Sequence, residues 1–327
     1  MARNASCLLR ATLVALAAAA ATGASASGVD SKLPDYKAVS GISGSLKSIG
    51  SDTLNNLMTL WSEGFSAKYP NVKLEIEGKG SSTAPPALIA GTSQFGPMSR
   101  PMKSAEIQKF ESTHGYPPTP VRSAIDALAV YVHKDNPIQC LSLQQVDAIF
   151  SKTRKGGLGK TLATWGDVGL TGAWAARPVS LYGRNSASGT YGYFKEVALF
   201  DGDYKDTVKE QPGSSTVVQG VASDISGIGY SGVGYKTADV RTVPLKTSAD
   251  GKCYDATEEN AVSGNYPIAR FLYIYVNKNP NQAMDPLRGE FIRFVYSKEG
   301  QQAVVKDGFF PVNNQLADTD LKAFGLK

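Results

Sequence analysis

Repeatedly along this chain a short strand-like run ends in a small, hydroxyl-rich turn, and this recurrence constrains the fold more than any other feature. The turns centre on Ser51-Asp52-Thr53, Ser81-Ser82-Thr83, Ser99-Arg100 and Ser186-Ala187-Ser188-Gly189-Thr190. The runs leading into them lie at 46–49, 72–77, 95–98 and 179–182. Helical spacing resumes beyond the first, where Leu54, Leu57, Met58, Trp61 and Phe65 recur on one face. A second helix is expected from about 84 and another from 191 to 200. Alternation of this kind predicts an α/β chain with mixed, largely parallel sheets flanked by helices.

Two longer apolar runs, 124–132 and 271–276, bracket the middle of the chain. With no Ser/Gly tether between them, they read as strands by which the chain crosses from one domain to a second and back. We expect 27–125 with 270–327 as the first, discontinuous domain and 126–269 as the second. The middle adds expected helices at 141–150 and 216–222, a strand at 228–230, and a Gly-, Lys- and Trp-rich surface loop at 152–174. Two closing helices are expected near 286–296 and 299–307. At 327 residues, 42% of them apolar, the chain can fill two cores.

The first 26 residues read as an address. Arg3 and Arg10 precede an apolar run from Ala11 to Ala21, and Ala24-Ser25-Ala26 is a small-residue cleavage signature. The run is too short for a permanent span. The alternative is an amphipathic anchor, which the alanine-rich composition disfavours. Cleavage after Ala26 lowers the formal charge from +5 to +3 and removes Cys7, leaving Cys140 and Cys253 in an oxidising compartment. Two cysteines there usually pair. Such a bridge would close a long loop in the second domain, worth about 4–5 kcal/mol on the chain-entropy account. Two separate thiols are the alternative.

Each turn taken singly has a plain explanation, since Ser and Thr are common helix caps. Together they point to an anion. Helix starts carry unpaired N–H groups and the positive dipole end, hydroxyls add small donors, and glycine lets backbone approach a ligand. Arg100 and Arg184 add forked charged donors. Loops that follow parallel strands converge on one crevice, and three of these lie in the first domain and one in the second. The expected pocket therefore lies between the domains.

Other chemistries lack support. Gly156-Gly157-Leu158-Gly159-Lys160-Thr161 ends like a nucleotide loop, but Arg154 stands where its first glycine belongs. Gly227-Ile228-Gly229-Tyr230-Ser231-Gly232 fits a dinucleotide fingerprint by letter, with no cofactor helix expected after it. His114 and His133 are the only histidines, and neither belongs to a spaced metal cluster or a Ser–His triad. The positive charge is not gathered into a stripe, which argues against nucleic acid. We expect a binding protein rather than an enzyme, with no cofactor and no metal.

These loops, together with the Gly227–Gly234 stretch and Tyr266-Pro267-Ile268-Ala269-Arg270-Phe271-Leu272-Tyr273, resemble the periplasmic phosphate-binding proteins of phosphate ABC transporters over nearly all of the mature chain. The resemblance implies the type II periplasmic binding fold: two α/β domains, two mixed sheets flanked by helices, and two crossover strands as a hinge. It implies a monomer in the periplasm that captures inorganic phosphate and delivers it to an inner-membrane permease. The implied binding set is Ser51, Asp52, Thr53, Leu54, Ser81, Ser82, Ser99, Arg100, Asp126, Arg184, Ser188, Gly189 and Thr190. One departure stands out. Many members place an aspartate after the serine of the third loop, to accept the proton of hydrogen phosphate, and this chain has Arg100. Asp126 is then the first candidate acceptor and Asp52 the second, unless Asp126 merely pairs with Arg100 and Asp52 merely caps its helix. Other ligands such as sulfate or molybdate, or an adhesive surface role, are the alternatives.

Overall fold

The first half of the chain folds as its pattern predicts, strand then helix, until a strand twice the usual length carries it across the molecule. The computed structural model describes residues 28–327, and the expected signal segment lies outside the described residues. In order come β1 (Gly44–Gly50), α1 (Asn55–Lys68), β2 (Val72–Gly78), α2 (Ala84–Ile89), β3 (Phe95–Met98), α3 (Ser104–His114) and β4 (Thr119–His133). The middle holds β5 (Leu141–Ser142), α4 (Leu143–Phe150), β6 (Ser180–Arg184), α5 (Gly189–Ala198), β7 (Lys209–Gln211), α6 (Ser214–Ala222), β8 (Gly227–Gly232), β9 (Val240–Thr242), β10 (Leu245–Lys246) and α7 (Glu258–Val262). The chain returns through β11 (Ala269–Val276) and closes with α8 (Pro286–Val295), α9 (Lys298–Lys306) and α10 (Asn314–Ala323).

β4 fuses the two expected sheets into one nine-stranded array, ordered β2-β1-β3-β11-β4-β8-β6-β7, with β9 also on β4. Its first part, through Ala127, pairs antiparallel with β11, and its last residues pair antiparallel with β8 and β9. Of the strands that feed the hydroxyl turns, β1 runs parallel to β2 and β3, and β6 to β7 and β8, while β3 also pairs antiparallel with β11. Their ends therefore deliver the turns to common edges.

Burial follows from this layout. α1 presents Leu57, Met58, Trp61 and Phe65 to a core shared with Phe291, Phe294 and Tyr296. A second core gathers Val130 and Val132 of β4 with Phe150, Phe194 and Tyr230. The Phe194 and Tyr230 rings stack at 3.8 Å. β4 reads as an unbroken apolar run from Ala127 because that stretch is covered on both faces. The expected disulfide is present, joining Cys140 and Cys253 beside the small β5–β10 pair.

Three local expectations change. The 152–174 stretch is not wholly a surface loop: Leu162, Trp165 and Val168 are buried in the second core, because their apolar area outweighs the surrounding Gly and Lys pattern. α6 begins two residues earlier than expected, at Ser214. The polar leader also straps the first core: Leu33 is buried, and Pro34 O accepts from Lys298 N–H at 2.9 Å.

Candidate functional site

At the end of β1 the chain leaves Ser51 extended and winds into a tight 3-10 turn, Asp52–Leu54, that runs into α1. β2 ends likewise in a turn, Ser81–Thr83, that opens α2. In the second half β6 leads through 185–188 to α5, whose first N–H groups include those of Gly189 and Thr190; Ser188 caps it by accepting from Thr190 N–H at 3.1 Å. The third loop differs from expectation, because five residues separate β3 from α3. Its Ser99 contributes, but no helix starts there.

These turns meet in a buried cluster of hydroxyls. Ser51 Oγ donates to Ser99 Oγ at 3.0 Å, and Ser81 Oγ lies 3.3 Å from Ser99 Oγ. Across the divide, Thr53 Oγ1 and Thr190 Oγ1 are 3.0 Å apart. Ser51, Thr53, Leu54, Ser81, Ser99, Ser188, Gly189 and Thr190 are all buried. Gly189 is required here: a Cβ on it would stand 2.3 Å from Ser81 Oγ and 2.7 Å from Ser99 Oγ. Gly80, at φ +107°, lets the second turn approach Ala187 O of the opposite half, which accepts from both Ser82 N–H and Ser82 Oγ. Ser82 itself is exposed, at the rim.

Arg184, at the end of β6, is 1% exposed. Its Nη1 donates to Ser214 Oγ at 2.6 Å and its Nη2 to Pro212 O at 3.0 Å, with Asp52 Oδ2 3.3 Å from Nη2. Nε is buried with no hydrogen-bond partner. Burial pulls the guanidinium below its ordinary pKa, and Asp52 opposes that shift; an arginine still keeps its charge. Asp52 does not cap its own helix, as the alternative reading had it. Its Oδ2 instead accepts the Ser214 N–H at the start of α6, at 2.9 Å.

Asp126 and Arg270 face each other in register across β4 and β11. Asp126 is fully buried. Its Oδ2 accepts from Arg270 Nε at 3.1 Å and Nη2 at 2.8 Å, and its Oδ1 from Val233 N–H at 3.0 Å. Arg270 Nη2 also reaches Thr190 Oγ1 at 2.9 Å, and its Nη1 donates to Ser99 O. The considered pairing of Arg100 with Asp126 is therefore not made. Arg100 is clamped by Glu106 instead, at 2.7 and 2.8 Å, because Glu106 sits in the first turn of α3 directly beyond the loop.

Three contributors escaped the sequence reading. Ser214 could have been found, because Pro212-Gly213-Ser214-Ser215-Thr216 follows β7 with the same strand, turn and helix design; placing the helix start at 216 hid it. Arg270 lies in the 266–273 stretch that carries the resemblance but with no cue to its partner, and Tyr235 carries no local signal. The first is an ion-pair partner made by strand register. The hydroxyl of the second donates to backbone carbonyls 182 and 183 residues away.

The arrangement can hold a small anion. It has helix N-termini, neutral hydroxyls and two buried guanidiniums at a seam between two halves. Among the described residues no group of three or more His, Cys, Asp or Glu could hold a metal ion.

Comparison with known proteins gives a consistent outcome. Residues 21–299 match a PBP superfamily domain. The phosphate-binding protein PstS of Pseudomonas aeruginosa is 54% identical over 318 residues, covering 97% of this chain and 98% of that one. A Clostridium perfringens crystal structure with bound phosphate superimposes with a TM-score of 0.69 at 26% identity, over 83% of this chain and all of that one. An ABC-type phosphate transport receptor from Vibrio cholerae shares the fold, with a TM-score of 0.64 at 20% identity over 82% of this chain and 100% of its own.

Proposed function

The chain belongs to the PBP superfamily and, within it, to the phosphate-binding PstS family, and from that membership we infer that it binds inorganic phosphate for an ABC transporter and performs no chemical step. One observation on the molecule carries the reading furthest. Arg184 is sealed from solvent with one donor, Nε, left without a protein partner. A buried unpaired donor costs about 1–3 kcal/mol, and an oxyanion held among the surrounding hydroxyls would remove that cost. The proposed binding set is Thr53, Leu54, Ser81, Arg184, Ser188, Gly189 and Thr190, with Ser51 and Ser99 ordering the hydroxyls around it.

We further propose that Asp52, rather than Asp126, accepts the phosphate proton. Both Asp126 oxygens already take protein donors. Asp52 Oδ1 takes none among the described residues, and Asp52 lies against Arg184. The protein is proposed to act as a periplasmic monomer, exported by the 1–26 segment, and to deliver its ligand to a permease. The two domains are proposed to meet at Asp126 and Arg270, residues 27–125 and 270–327 on one side and 126–269 on the other. No helix among the described residues is long and apolar enough to cross a membrane.

Titration calorimetry of the desalted protein against phosphate, arsenate, sulfate and molybdate tests the reading. Tight binding of phosphate with sulfate excluded is the expected result. Preference for sulfate or molybdate, or no anion binding, would overturn it.

A further inference from the structure

Between β8 and β9 the chain makes a short 3-10 turn, Val233–Tyr235. Both flanking strands pair with the far part of β4, so the turn belongs to the second half of the molecule. It nevertheless lies on the first half. Val233 N–H holds the turn to the edge of its own half, on Asp126 Oδ1, and the residues after it reach further. Gly234 sits so closely on 307–308 that a Cβ there would come within 2.4 Å of Asp307 O. The Tyr235 ring meets Phe309 edge-on, with centroids 6.4 Å apart. Beyond that contact its hydroxyl reaches the anion turn, donating to Thr53 O at 3.0 Å and sharing the proton with Asp52 O at 3.3 Å.

Those carbonyls belong to the peptide units that carry the N–H groups of Leu54 and Thr53. A hydrogen bond accepted at a peptide oxygen draws electron density from the same unit's N–H and strengthens it as a donor, because bonds in a chain polarise one another in a low-dielectric interior. The contact also bridges the two halves, so it is made only when they are together. A bond present in one of two conformations biases the equilibrium toward that one by its own free energy.

We propose that Tyr235 is a positioning residue for the ligand: from the second half it latches the closed form and sharpens the Thr53 and Leu54 N–H donors that face the anion. The inference rests on the phosphate-binding reading above. Burial keeps the phenol above its usual pKa, so it stays a donor wherever the fold survives.

The test is Tyr235→Phe, which keeps the ring against Phe309 and removes only the hydroxyl. Stopped-flow kinetics with inorganic phosphate would be read beside the thermal midpoint of ligand-free protein. A net hydrogen bond of ordinary strength corresponds to about a three- to tenfold loss of affinity. We expect that loss in the dissociation rate, with the association rate and the ligand-free midpoint unchanged. An unchanged dissociation rate in Tyr235→Phe overturns the inference while leaving phosphate binding standing. So does a lowered ligand-free midpoint with no change in dissociation, which would mark a purely structural hydroxyl. Wild-type protein that binds no phosphate overturns the functional reading and this inference with it.

Discussion

Arg184, the proposed anion clamp, is held by contacts that leave its Nε without a protein partner. Ser214 Oγ and Pro212 O occupy its two terminal nitrogens, so the side chain is oriented before any ligand arrives. Replacement by alanine removes a charged donor from a dry site, where such bonds are worth about 1.5–3 kcal/mol each. Arg184→Ala should weaken phosphate binding by at least about 2 kcal/mol by calorimetry in a protein whose circular dichroism is unchanged; full affinity would remove Arg184 from the site. Selectivity is a separate question. A pocket made only of donors cannot tell hydrogen phosphate from sulfate, whereas a carboxylate facing the ligand accepts a proton from one and repels bare oxygen on the other. We expect Asp52→Asn to lose phosphate affinity and narrow the phosphate-to-sulfate ratio. Asp126→Asn should chiefly loosen Arg270 and leave the ratio near its wild-type value. The opposite ranking in competition binding would return the acceptor role to Asp126.

Among the elements, α9 ends in an arrangement that makes stability depend on pH. Asp307 follows its last residue, and burial raises its carboxyl to about 6 although Asn56 on α1 donates to it. Its Oδ2 is buried without a partner. A carboxylate at a helix C-terminus also faces the negative dipole end. The folded pKa lies above the ordinary 3.8, so the folded state binds this proton more tightly than the unfolded chain does. Its contribution is then complete below about pH 4 and lost as pH rises through about 6. We predict that Asp307→Asn raises the thermal midpoint at pH 7–8 and flattens its fall between pH 4 and 7. A wild-type pH profile retained in that variant would show that Asp307 does not titrate in this window.

At the scale of the molecule, β4 and β11 are both scaffold and seam. Ile125 and Val233 touch both cores, and the buried Asp126–Arg270 pair lies beside Ile125, at the proposed domain boundary. The disulfide closes a 113-residue separation wholly within the middle of the chain. Cross-linking so long a loop stabilises by about 4–5 kcal/mol on the chain-entropy account. The Cys140→Ser, Cys253→Ser double variant should therefore melt earlier and keep wild-type phosphate affinity. A large loss of affinity in folded double variant would mean that the bridge also shapes the cleft.

Much of this was local and therefore legible. A strand ending in Ser, Thr and Gly before an apolar helical face specifies its own turn, because hydroxyl caps and glycine act over three or four residues. The cap of α5 by Ser188 and the burial of α1 through Trp61 and Phe65 needed no tertiary information beyond that, whereas the hydroxyls of Ser51 and Ser81 go to Ser99 rather than to their own helices and the Cys140–Cys253 bridge spans 113 residues. What side chains do across the molecule was decided elsewhere. Sequence distance says nothing about whether Arg100 meets Asp126 or Glu106; the start of α3 beside Arg100 settles it. Arg270 finds Asp126 because β4 and β11 pair in one register out of several. Tyr235 reaches Thr53 because the two halves lie together at one angle. A small-residue turn before an apolar helical face is legible because it acts over a few residues, whereas the partners of a buried hydroxyl or charge depend on which segments the folded chain brings within about 3 Å of it.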